Sequence, residues 1–231
     1  MIDTLVVVAH HNNGPALMRW LEHSEEMRPG TKMLVVDTGS PKEMLASFQT
    51  EVNVAESFDN VLGLVSTPYR GYDTGAYLWA YWNCPASNYL FVQDSCSPRE
   101  PDYVRQFAER MPGEMGAVGW SSFDIRVWDS DDQAAATAWM YGDQSKWPAK
   151  GIFGPIFYTS RKTLDHMAAQ GLLPMPPVHK QQQQAMERAW AILLHRAGVR
   201  VNFLVDEDMP RGGDMARGNY PALTKTFPVR A

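Results

Sequence analysis

Short, unbroken apolar runs alternate along the chain with longer stretches in which apolar residues recur every three or four positions. Thr4 to Ala9 (TLVVVA) is the first run, continuous and rich in β-branched residues, the pattern of a strand covered on both faces. It leads through HHNNG to Pro15, which opens an amphipathic helical stretch from Ala16 to Met27 that Pro29-Gly30 stops. Lys32 to Ser40 (KMLVVDTGS) repeats the plan: an apolar strand, an Asp at its end, a Gly-Ser turn, and Pro41 opening a helix to Phe48. VNVAES, Val52 to Ser57, is expected to be a third strand. Strands alternating with helices predict a parallel sheet with right-handed crossovers.

Beyond a connector, GYDTGAYLWAYWN reads as a helix with glycines at its amino end, followed by NYLFVQDSCSP, a buried strand from Tyr89 to Val92 that breaks into Gln93-Asp94-Ser95. PDYVRQFAERMP is a helix between prolines, and MGAVGWSSF another strand. Asp124 to Lys150 is polar and weakly periodic, predicting a long loop with room for one short helix; long loops in compact domains are often binding elements. Phe153 to Tyr158 is a strand, and Thr159 or Ser160 caps the helix after it. HKQQQQAMERAWAILLHRAG is the longest helix, closed by Gly198, and VRVNFLV is the last strand. The remaining tail is rich in Gly, Pro and Arg, the composition of a flap or an ordered arm over a site.

At 231 residues, 45% hydrophobic and 20% charged, the chain can bury one compact domain. A net charge of −5 argues against a nucleic-acid partner, which requires a basic stripe facing phosphates. Two cysteines, Cys84 and Cys96, are too few for a disulfide framework or a Cys-based zinc site, so a cytoplasmic setting is expected. The amino end carries no basic leader, and no apolar run approaches the roughly twenty residues of a membrane span, so neither signal peptide nor anchor is expected. No G-x-S-x-G elbow, P-loop or H-E-x-x-H occurs.

Three polar features then fall at carboxyl ends of strands: His10 to Asn13, Asp37 and Asp94. Open α/β sheets bind ligands there, and paired acidic strand ends suit a nucleotide, one carboxylate on a base or ribose edge and another on a divalent cation. Simpler readings stay open. Asp94 and Asp37 can each cap a following turn, and Asp73 can cap the helix that GYDTGA starts. The crowded DSDDQ lacks the glycine and distal Glu of a calcium loop and reads as solvated.

LVVVAHHNN, LVVDTGS and FVQDS together resemble the GT-A fold of nucleotide-sugar glycosyltransferases, especially family-2 enzymes and rhamnosyltransferases, in which VVDNGS and DQDS strings are common. YRGYDTGAYLWA ahead of QDS is similar to the N-x-G-Y-D-x-G-A and N-D-S pairing of rhamnan-synthesis proteins. The resemblance runs from Leu5 to Val205. It implies one GT-A-like α/β domain over 1–231, a mostly parallel central sheet flanked by helices. Residues 1–110 would form a Rossmann-like nucleotide-binding half, 111–205 the acceptor and catalytic half, and 206–231 a C-terminal arm.

The implied activity is transfer of a sugar from a nucleoside-diphosphate sugar to a hydroxyl or glycan acceptor, in polysaccharide or surface-glycan synthesis. Asp37 would contact the base or ribose, with His10 and Gln93 in the same donor site. Asp94 would be the metal-binding Asp of a DxD motif, holding Mg²⁺ or Mn²⁺. Val92 stands where that motif has its first Asp, and Tyr69 where rhamnan-synthesis proteins have Asn. Arg70 would face the diphosphate, Gly71 and Gly75 would let backbone approach it at a helix amino end, and Asp73 would bond donor-sugar hydroxyls. Gly151 and Gly154 would leave room for a sugar ring. Aligning the family's E-D-x-D-L-x-x-R-x-x-x-x-G-x-x-V string on Gly198 puts its catalytic carboxylate on Glu187, as general base. Two other classes stay open: a catalytically silent glycan- or nucleotide-sugar-binding module, which Val92 and Tyr69 favour, and a nucleotidyltransferase, which would want a basic Gly-rich loop where HHNNGP has neither Lys nor Arg.

Overall fold

A computed structural model describes residues 2–24, 27–56, 59–67, 71–127, 131–206 and 221–225. Eight strands form one sheet. Its core is β1 (Ile2–His10), with β2 (Thr31–Asp37) and β4 (Ala86–Gln93) parallel on either side. β3 (Val61–Ser66) extends the sheet beyond β2. Past β4 come β8 (Phe157–Ser160), β6 (Gly116–Asp124) and β7 (Lys150–Ile152), with β9 (Arg200–Val205) parallel to β6. β8 runs antiparallel to both β4 and β6, so the sheet is mostly, not wholly, parallel. A small ribbon pairs β5 (Cys96–Pro98) with β10 (Leu223–Lys225).

Side-chain alternation divides the core. Leu5, Val7, Ala9, Tyr89 and Phe91 face one layer, with Tyr77 of α3 (Tyr72–Asn83) and Trp190 of α7 (Lys180–Arg196). Val6, Val8, Leu90 and Val92 face the other, with Trp20 of α1 (Gly14–Glu22), Phe48 of α2 (Lys42–Glu56) and Phe107 of α4 (Tyr103–Ala108). A strand covered on both faces needs apolar residues at every position, which explains the unbroken runs in β1, β2 and β4.

Three expected elements differ. Of VNVAES, Val52 to Glu56 belong to α2, where Phe48 and Val52 are buried one helical turn apart, and Ser57 lies outside the described residues; the third strand is Val61–Ser66. The helix expected to reach Met27 ends at Glu22. The strand expected from Phe153 begins at Phe157, because residues 153–156 turn through Gly154 at φ 63°. The segment expected to be a long loop with room for one short helix holds α5 (Asp131–Tyr141) and a 3₁₀ turn at Gln144–Lys146. Ser160 caps α6 (Arg161–Ala169), its hydroxyl accepting from the Thr163 amide at 3.2 Å. Among the described residues no helix is long and apolar enough to cross a membrane.

Candidate active site

The strand ends of β1, β2 and β4 lie side by side, and the same alternation that sorts the core sorts the chemistry. His10 and Asp94 continue the even-numbered positions of β1 and β4, towards α1 and α2; Gln93 continues the odd-numbered ones, towards α3 and α7. The result is a cluster on each side of the end of β4.

On the first side, Asp94 does not cap its own turn. Its Oδ2 accepts from the His11 amide at 3.1 Å, across to the loop after β1. His10 Nδ1 also lies 3.1 Å from that oxygen, but neither ring nitrogen makes an aligned hydrogen bond, so the contact is electrostatic at most. His10, the last residue of β1, is fully buried, edge-on to Phe48 at 4.7 Å, while His11, in the bend beyond the strand, is exposed. Asp37 follows the simpler reading: it is fully buried, its Oδ2 accepts from the Gly39 and Ser40 amides at 3.1 Å each, and its Oδ1 from the Ser40 hydroxyl. The Ser40 oxygen in turn accepts from the Asn12 amide at 2.7 Å, with Asn12 left-handed at φ 50°. Asp37 thus fastens the turn after β2 to the loop after β1.

The second side is a polar pit. Asp73 is the second residue of α3, whose cap position is Gly71, so it is not the helix cap. Tyr72 before it holds φ at 48°, a conformation that costs a bulky residue about 1–3 kcal/mol and is kept only where surrounding structure imposes it. The Asp73 Oδ2 accepts from the side-chain amides of Gln93 and, at 2.7 Å, of Gln183 on α7. Glu187 lies one turn beyond Gln183 and accepts at 3.1 Å from the amide of Gly154, whose positive φ suits glycine. Lys225 of β10 donates at 2.6 Å to the Gln93 Oε1. Trp190 Nε1 donates to Thr74 Oγ1 at 3.2 Å and ties the two helices together behind the pit. Burial pushes the Asp73 carboxyl from its ordinary 3.8 to about 6; the Gln93 hydrogen bond and the Lys225 charge pull against this, and the Asp94 charge adds to it. Asp73 is half-buried, not sealed in the core.

Of the residues expected from sequence, Asp73, Gln93, Gly154 and Glu187 meet here, with Asp94 just across the strand. Gly71 is buried at the head of α3, where its carbonyl accepts from the Gly75 amide at 2.6 Å. At Gly151 the Phe123 ring fills the open side, 2.3 Å from where a Cβ would sit, so the glycine accommodates that packing. Arg70 and Tyr69 lie outside the described residues. Two pit residues were not foreseen. Gln183 sits in a run of four glutamines, where only its helical spacing to Glu187 and Trp190 distinguishes it. Lys225 lies on a three-residue strand in a Gly- and Pro-rich tail, where no pattern marks it.

No protein-family model matches the chain, and no curated protein sequence matches it. Solved structures do. A mannosyltransferase from Pyrobaculum calidifontis, in complex with GDP-Man and Mn²⁺, superposes with a TM-score of 0.58 at 16% identity, over 93% of this chain and 59% of its own. Glucosyl-3-phosphoglycerate synthase from Mycobacterium tuberculosis, with Mn²⁺, UDP and glucosyl-3-phosphoglycerate, gives 0.57 at 14% identity, over 91% and 73%. S. aureus TarS 1-349 gives 0.55 at 11% identity, over 89% and 59%. The chain thus spans about three fifths of the mannosyltransferase it resembles, and at these identities the likeness is one of fold. Strand order, the layers on both faces and these superpositions agree: the chain has the GT-A fold of nucleotide-sugar glycosyltransferases.

Proposed function

We propose that the protein is a glycosyltransferase that moves a sugar from a nucleoside-diphosphate sugar to a hydroxyl acceptor, in polysaccharide or surface-glycan synthesis. The observation that carries this reading is the convergence of Asp73, Gln93, Gln183, Glu187 and the Gly154 amide in one pit beside Asp94. The loops after β1 and β2, fastened by Asp37 through Ser40 and Asn12, form the nucleotide side. Arg70, which lies outside the described residues, is assigned to the diphosphate on the resemblance alone. Asp73, Gln93 and Gln183 bond the donor sugar's hydroxyls, and Glu187 takes the proton from the acceptor hydroxyl as its oxygen attacks the anomeric carbon and the bond to the diphosphate breaks. The two cysteines, both free, accord with a cytoplasmic setting.

Asp94 fits a divalent cation to a limited extent. Its Oδ1 has no partner among the described residues, its side chain is 14% exposed, and a hard carboxylate oxygen suits Mg²⁺ or Mn²⁺ completed by phosphate and water. Val92, fully buried in the apolar layer, adds nothing, and the described residues hold no group of three metal-binding side chains. A cation there would neutralise charge on the departing diphosphate.

The test is binding and turnover together. Thermal shift against nucleotides and nucleotide sugars, with and without Mn²⁺, is expected to find a donor, and Glu187→Gln to keep donor affinity while losing transfer about a hundredfold or more. Unchanged turnover in Glu187→Gln removes it as base. The buried Val92 favours one second reading, a silent module that binds the donor, and binding without turnover for every acceptor tried would establish it.

A further inference from the structure

Lys225 is a half-buried cation in the pit that makes no ion pair with a described carboxylate. Its ammonium has three N–H groups. One goes to the Gln93 Oε1 at 2.6 Å, and the charge sits 5.3 Å from the Phe153 ring centroid. Gln93 passes the polarity on, its oxygen towards the cation and its amide towards the Asp73 Oδ2. Asp73 feels the Lys225 charge beyond ion-pair distance. Taking an ammonium partly out of water is costly unless a negative group meets it, and nothing described in the protein supplies one at contact. Backbone fixes the lysine: β10 pairs with β5 directly after Asp94, Lys225 opposite Cys96, the Arg99 amide donates to Ala222 at 3.0 Å, and the Trp120 indole donates to the Pro221 carbonyl at 3.0 Å. The cation is held in place, short of one anion, beside a strand end that offers one metal-binding carboxylate where a DxD motif would offer two.

We propose that Lys225 is a phosphate-binding residue that meets the diphosphate of the donor. It carries there part of the charge that a second carboxylate and a fully ligated metal would otherwise balance. The identity of the anion rests on the nucleotide-sugar reading; the existence of an anion site does not. Lysine acts as a point charge, so arginine at the same position keeps the function, whereas methionine keeps the length and the contact with Phe153 without charge.

Binding of a nucleoside, its diphosphate and inorganic pyrophosphate to wild type, Lys225→Met and Lys225→Arg, each in Mn²⁺ and in EDTA, tests this by calorimetry. Circular dichroism and urea midpoints check that the variants fold. In Lys225→Met the nucleoside diphosphate and pyrophosphate are expected to bind about ten- to a hundredfold more weakly in both media, as loss of a charge-assisted contact dictates, with nucleoside affinity unchanged and Lys225→Arg close to wild type. Equal diphosphate affinity in wild type and Lys225→Met overturns the proposal. If wild type binds no nucleotide, the transferase reading falls and pyrophosphate decides alone: weaker binding in Lys225→Met keeps the anion site, and equal or absent binding removes it.

Discussion

Asp73 shows what one residue's surroundings do to its chemistry. Two glutamine amides favour its ionised form, yet burial prevails and lifts its pKa from 3.8 to about 6. The folded protein therefore holds this proton more tightly than the unfolded chain. Stability from this group is full below pH 3.8 and is lost as pH rises to about 6, by an amount on the order of 1–3 kcal/mol after allowing for its partial exposure. Asp73→Asn is expected to lack that pH-dependent part, so urea unfolding of the two proteins at pH 4 and pH 8 should differ in slope against pH. An identical pH dependence would mean that the carboxyl is better solvated than its neighbours imply. If the ionised form holds the donor sugar, wild-type transfer rises as pH passes about 6 and falls away in the variant.

Among elements, α7 does most to assemble the site, because one face carries Gln183, Glu187 and Trp190 while the next residue, Arg188, anchors the helix. Arg188 is 3% exposed; its Nε donates to the Ile125 carbonyl at 3.1 Å, another nitrogen donates to the Val127 carbonyl, and its guanidinium lies 5.0 Å from the Phe123 ring centroid. Arg188→Leu leaves those carbonyls without this donor and should cost about 3 kcal/mol in urea unfolding, with transfer reduced through displacement of the neighbouring Glu187. A loss under about 0.5 kcal/mol would show that water replaces the guanidinium. The elements also show where pattern misleads. VNV alternates like a strand, but tertiary burial takes Phe48 and Val52 together and makes the segment helical. Val61–Ser66, which among the described strands lies next to β2 alone, is obscured by Gly63 at φ 123° and by exposed Leu62.

At the scale of the molecule, ligand binding and stability are one equilibrium. A nucleotide and its metal that bind only the folded chain raise its stability by about 2.7 kcal/mol at a hundredfold excess over Kd. Asp94→Ala is expected to abolish the Mn²⁺-dependent share of that thermal shift while leaving the apo melting temperature within a few degrees, because among the described residues the Asp94 side chain gives the fold only the His11 amide contact and its approach to His10. Unfolding of the variant instead would make Asp94 a structural residue.

The sequence by itself determined the layered α/β architecture, since short β-branched and aromatic runs such as TLVVVA and NYLFV, alternating with longer helical stretches, suit strands covered on both faces. It also marked Asp73, Gln93, Asp94 and Glu187, because polar residues that end apolar strands, or start and line helices, stand out locally. Only the tertiary structure decided how these residues meet. It set β8 antiparallel between β4 and β6, brought Gln183 to Asp73 across 110 positions, and carried Lys225 to Gln93 across 132. Such contacts depend on strand order and on the register of α7 and β10 against the sheet, and long-range pairing leaves no trace in local periodicity.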